Sequence, residues 1–146
     1  MREILFRGKR KDNSKWVEGS LVSYRKCNSA AILASKTVAF VPIGSTVFCS
    51  DSFFEIDVET VGQYTGLTDK SGTKIFEGDY IVCRQAIQGN FIDEHIEMGY
   101  VEMKHGAFGL HRKQGYYRPF KDWLENYEYE VIGNIHDNPE LLKGGA

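Results

Sequence analysis

Residues 59–82 read ETVGQYTGLTDKSGTKIFEGDYIV, and they hold more fold information than any other part of the chain. Thr60, Val61 and Tyr64 favour extended backbone, and Gly66 interrupts them. Asp69-Lys70-Ser71-Gly72 is a turn cluster: the Asp carboxylate can accept from nearby backbone N–H groups and Gly can take positive φ. Ile75 and Phe76 resume the apolar pattern. Gly78-Asp79 punctuates it again before Tyr80-Ile81-Val82-Cys83, a β-branched run. A Gly-Asp corner feeding such a run is how many small SH3-like barrels begin. The corner is a backbone device, not a catalytic aspartate.

Upstream, Ile4-Leu5-Phe6 is a short strand candidate. RGKRKDNSK (7–15) reads as a basic turn with Asp12-Asn13 at its tip, and the extended pattern returns at Trp16 to Val22. Together they form a β-hairpin. Tyr24 to Ser29 reads as a loop, and Ala30 to Ala34 is compatible with strand or helix. Thr37 to Val41 and Thr46 to Cys49 are strand candidates. FFEIDV (53–58) alternates apolar and acidic residues from Phe54, as a strand buried on one side does.

Downstream, Tyr80 to Ile87 is a strand. Phe91 to Met103 is two strands or one bulged strand, broken at Gly99. PFKDWLENY (119–127) is the best helix candidate. Pro119 suits a first turn, and Phe120, Trp123, Leu124 and Tyr127 recur at i, i+3, i+4 and i+7. EYEVIGNI (128–135) closes the set as a strand, and Asn138-Pro139-Glu140 opens a last helical turn. The expected fold is mainly β, with an N-terminal β unit (1–58) packed on a C-terminal SH3-like small barrel (59–146) that carries one or two short helices.

A chain of 146 residues has room for one domain or two very small ones. Fifteen Gly against three Pro point to turns rather than disorder. The net charge of −2 is unevenly spread. Residues 1–26 carry eight basic and three acidic side chains, residues 27–110 five and eleven, residues 111–146 five and six. Internal pairing or solvation is the plain account. Head-to-tail association and an anionic ligand are the functional ones. Cys27, Cys49 and Cys83 make neither a CxxC pair nor an even framework, which fits a reducing cytoplasm. No signal peptide opens the chain and no apolar run nears the roughly 20 residues of a membrane span.

Blocks along the chain resemble the YopX family. They are WVEGSL (16–21), TVGQYTGL (60–67) with Asp69-Lys70, IFEGD (75–79), and VIGNI (131–135) with NPELL (138–142), joined by FRGK (6–9). The blocks run in the family's order over nearly the whole chain. The resemblance implies a small bacteriophage or prophage protein, mostly β with an SH3-like C-terminal part, acting inside the bacterial host cell. It implies no activity, cofactor or catalytic residue. Residues 27–58 and 93–97 carry no block of the family and are where this member's own specificity is expected.

Three function classes compete. Protein binding, with an unknown host or phage protein or with a second copy of the chain, ranks first, because a small aromatic-rich β protein offers grooves and strand edges. Nucleic-acid binding ranks second. Lys9, Arg10 and Lys11 in one place, and Arg112, Lys113, Tyr116, Tyr117 and Arg118 in another, interleave base with aromatic as a stacking platform requires. The net negative charge opposes it. Metal-dependent catalysis ranks third. Asp93, His95 and Glu97 would share one strand face, with ligand types that suit a divalent ion, but no second cluster completes a ligand set. Neither a GxSxG nor a phosphate-binding Gly-rich loop occurs. His105 and His111 read as surface histidines. No cofactor is expected.

Overall fold

The computed structural model describes residues 1–34, 53–87, 90–112, 116–122 and 127–143. The strand candidates at Thr37 to Val41 and Thr46 to Cys49 lie outside them. The protein is mainly β. Among the described residues its strands form two antiparallel sheets, one of β1 to β6 and one of β7 to β11, and one short helix, α1 (Glu140–Lys143), follows. The chain divides into two compact units, Met1–Gln63 and Tyr64–Ala146.

In the first unit β1 (Phe6–Lys9) and β2 (Trp16–Tyr24) form the hairpin, with Lys9 opposite Trp16. The strand starts later than Ile4, so Arg7 and Lys9 are strand residues rather than turn residues. The turn itself is held by Arg10 N–H donating to the Lys15 carbonyl at 2.9 Å. β2 runs on to Tyr24, and a 3-10 turn at Arg25–Cys27 replaces the expected loop. β3 (Ser29–Leu33) settles the Ala30 segment as strand, paired between β2 and β4 (Phe53–Ile56). A bridge from Arg10 to Ile56 returns β4 to the end of β1, flanked by Lys11 N–H to the Glu55 carbonyl and Asp57 N–H to the Lys9 carbonyl. Period-two alternation turns Leu21, Ile32, Ala30 and Ile56 to one face, where Phe6 and Val17 pack on them.

β5 (Gly62–Thr68) begins in the first unit and ends in the second. Gly66, at φ 89°, lies within the strand, where the register to β6 (Lys74–Phe76) shifts between Tyr64 and Thr68. It bulges the strand rather than ending it. The Asp69 turn forms as its residues predict. The buried carboxylate accepts from Ser71 N–H (2.8 Å), Thr73 N–H (2.9 Å) and Val131 N–H (3.1 Å). Burial pushes its pKa up, but those backbone donors outweigh burial and hold it below the ordinary 3.8. At the Gly-Asp corner Gly78 has φ 85°, and buried Asp79 accepts from Phe76 N–H at 2.8 Å.

The second sheet runs β10-β9-β8-β7-β11, from β7 (Asp79–Ile87), β8 (Asn90–Lys104), β9 (Ala107–Arg112), β10 (Tyr117–Pro119) and β11 (Tyr127–Asn134). Among the described residues β10 and β11 are its two edges. Ile75, Ile81, Cys83, Val101, Leu110, Phe120 and Tyr129 form its buried core.

Two expectations are corrected. β8 is one bulged strand, the second of the two expected readings, but Gly99 does not break it. Gly99 lies opposite Arg112, where a Cβ would run into the His111 carbonyl oxygen, so the glycine lets β9 approach. The irregularity falls instead where Arg84 and Ala86 of β7 face Ile96 and Phe91, so the extra residues lie on β8 between Phe91 and Ile96. The helix expected over 119–127 is absent from the described residues of that span; Trp123 and Leu124 lie outside them. Pro119 ends β10 opposite Gly109, Phe120–Asp122 is a 3-10 turn, and Tyr127 opens β11 opposite Gln85. Phe120 is buried against the Tyr129 ring at 5.6 Å, so its apolar side serves the sheet core without a helix.

Candidate functional site

On the face of β2, β3 and β4 away from Leu21 and Ile32, cross-strand register sets Val22 beside Ala31 and Ala31 beside Glu55. Phe53 lies two residues along β4. Ala31 is small, and a cleft of about 650 Å³ opens along Ala30 and Ala31 on this side. Among the described residues its walls are Val22, Cys27, Ser29, Phe53 and Glu55. Val22 is 44% exposed and Phe53 38%, so two large apolar side chains face solvent where β-strands normally turn polar ones outward. Sequence reasoning missed this cleft. Its residue-level signal was an apolar excess on both faces of 30–33 and the consecutive Phe53-Phe54.

The basic residues singled out from the sequence fall in both units. In the first, Lys9 Nζ lies 5.5 Å and the Arg7 guanidinium 4.7 Å from the centre of the Trp16 ring. Arg10 covers the Phe54 ring at 4.1 Å and is ion-paired with Asp12. That hydrogen bond holds the Asp12 carboxyl below its usual range. Lys11 Nζ reaches Glu55 Oε1 at 2.8 Å, and that hydrogen bond raises the lysine.

In the second unit Glu97 takes Arg112 Nη1 at 3.2 Å and Arg118 Nη1 at 3.5 Å. Arg112 lies 6.0 Å from the ring of Tyr116, which is 67% exposed. The Tyr117 hydroxyl donates to the Ala107 carbonyl at 2.6 Å. Lys113 lies outside the described residues. Arg10, Lys11, Arg112 and Arg118 therefore each have a carboxylate partner.

Asp93 and His95 lie on β8, and their side chains are outside the described residues. Glu97 is already engaged by the two arginines, so a divalent ion there would compete with two guanidinium groups. No group of three or more metal-ligating side chains occurs among the described residues. Cys27 is exposed and Cys83 buried, where burial first, then the Glu97 charge, pushes the Cys83 thiol far up. His111 is not a simple surface histidine: its Nδ1 is 3.0 Å from Glu102 Oε1 and its ring stacks on Tyr100.

A family model described as YopX protein matches residues 5–143. The chain belongs to the YopX family. This YopX chain is similar in structure to protein EF1440 from Enterococcus faecalis, at 26% identity and a TM-score of 0.55, over 97% of this chain and 99% of that one. No curated protein matches it. The family blocks include the Asp69 turn and the Gly-Asp corner, both of which make backbone hydrogen bonds here. None of the blocks supplies Phe53 or Ala31 of the cleft. No helix among the described residues is long and apolar enough to cross a membrane.

Proposed function

We propose that this YopX-family chain is a non-catalytic binding protein whose first unit takes an apolar segment of a protein partner, a second copy of the chain being the simplest such partner. The supporting observation is the 650 Å³ cleft with Val22 and Phe53 exposed on its walls. Apolar surface of this kind, rimmed by polar residues such as Ser29 and Glu55, is what protein contacts bury. The same proposal takes the second unit as SH3-like, the protein as phage- or prophage-encoded, and its place of action as the bacterial cytoplasm.

The test is to replace Val22 and Phe53 together by Glu and measure mass in solution by sedimentation across protein concentration. Wild type is expected to form a concentration-dependent dimer, and the double variant to remain a monomer with unchanged circular dichroism. A wild-type chain that stays monomeric at millimolar concentration, and retains no host protein through this cleft, would sink the proposal.

Nucleic-acid binding is the second proposal. It draws on the exposed Tyr116 beside Arg112 and on Trp16 between Arg7 and Lys9. Pairing of the neighbouring cations with Asp12, Glu55 and Glu97 weakens it. Binding to labelled single strands that falls steeply as salt rises would favour it over the protein partner.

A further inference from the structure

The second sheet carries apolar side chains on both faces. Ile81, Cys83, Val101 and Leu110 are buried in its core. Period-two alternation sends their strand neighbours to the other face. There register sets Glu128, Arg84 and Ile96 in one row and Glu130, Val82 and Met98 in the next. Ile132 continues the alternation of Glu128 and Glu130 along β11. Tyr80, Tyr100 and His111 form a further row, and there Leu142 of α1 lines a cavity of about 220 Å³ with them. Ile96 at 41% and Ile132 at 39% stay exposed.

The charged groups on this face match one another. Glu130 lies 2.9 Å from Arg84 Nη1 and 3.0 Å from Lys70 Nζ, and Glu128 lies 4.0 Å from Lys70 Nζ. At the first-unit cleft Glu55 is matched with Lys11. Burying either apolar surface therefore strands none of these carboxylates.

The two units differ in the sign of their charge. Residues 1–63 carry nine basic and seven acidic side chains, and residues 64–146 nine and thirteen. Cleft on cleft would bring two positive units together, and second-sheet face on second-sheet face two negative ones. Cleft on second-sheet face brings opposite charges together, and long-range attraction steers that encounter.

We propose that the occupant of the first-unit cleft is the Ile96 and Ile132 face of a second copy of the chain. Two copies that make this contact in both directions close a dimer. The proposal rests on the cleft reading above and adds which surface of the other copy fills it.

Sedimentation of full-length variants, alone and mixed, tests it. Wild type is expected to dimerise, and less tightly as salt rises from about 0.05 to 0.5 M. Ile96→Lys is expected to stay monomeric alone, and so is the Val22→Glu, Phe53→Glu double variant. Their equimolar mixture is expected to yield a one-to-one complex, because one variant keeps the cleft and the other keeps the second-sheet face. Ile132→Lys takes the place of Ile96→Lys if the latter alters the circular dichroism. An Ile96→Lys chain that dimerises like wild type, or a mixture that stays monomeric at millimolar concentration, would overturn the proposal and leave the cleft reading standing. A double variant that dimerises like wild type would remove the cleft reading as well. A monomeric wild type would overturn the second copy as occupant, and retention of a host protein through Val22 and Phe53 would then preserve the cleft reading alone.

Discussion

The two units of this YopX chain solve the same β problem with different resources. Among the described residues the second unit clusters seven buried side chains, five from its five-stranded sheet with Ile75 and Phe120, and buried Asp69 ties its turn to β11 through Val131. The buried cluster of the first unit holds three residues among those described, two of them isoleucine and one alanine. That unit returns β4 to the end of β1 through the Arg10 to Ile56 bridge, and it leaves Val22 and Phe53 in solvent. The contrast separates two uses of apolar side chains. Both units leave large apolar side chains exposed, Ile96, Met103 and Ile132 in the second, but among the described residues those of the first, Val22 and Phe53, line one cleft.

The largest effect that tests this contrast is in the second core. Leu110→Ala, at a fully buried site, is expected to destabilise the protein by about 2–5 kcal/mol in urea unfolding. Val22→Ala, at an exposed site, is expected to leave the midpoint nearly unchanged. Comparable losses from the two would erase the distinction between holding and contact surfaces.

Next is the clamp. Asp69→Ala leaves backbone donors at Ser71, Thr73 and Val131 without their carboxylate, an expected loss of about 1–3 kcal/mol. The pH dependence has a definite sign. The folded pKa of Asp69 lies below its ordinary 3.8, so its contribution is full above that value and is lost as pH falls through the lower folded pKa. Acid titration of stability should therefore show a steeper fall below pH 3.8 in wild type than in Asp69→Asn. Parallel acid limbs would show that the three hydrogen bonds do not favour the ionised form.

The smallest effect is expected at the first-unit surface. Lys11→Ala removes an exposed ion pair with Glu55, and the melting temperature should not move measurably. A clear drop would mean that this pair, and not only the bridge beside it, holds β4 to the end of β1.

Much of the fold was legible because its signals are local. The Asp69 turn and the Gly-Asp corner depend on residues within four positions, and both formed as their chemistry implied. So did the hairpin, though its strand begins at Phe6 and draws Arg7 and Lys9 out of the turn. The pattern at 119–127 misled because Phe120 buries its ring from a 3-10 turn and Tyr127 partly buries its own from a strand, so helical spacing did not decide their backbone. Gly99 misled for a related reason: a glycine that ends a strand and one that admits a neighbouring strand look alike until that neighbour is in place. The basic clusters were visible, but their carboxylate partners were not, since Glu55 is 44 residues from Lys11 and Glu97 is 21 from Arg118.

By itself the chain determined its β character, its turns and its YopX membership, because each rests on residue types at short spacing. Only the tertiary structure decided that Val22, Ala31 and Phe53 share an open cleft and that Tyr80, Tyr100 and His111 form one row. Those groupings depend on which strands pair and in what register. A shift of one residue would turn each of these side chains to the opposite face.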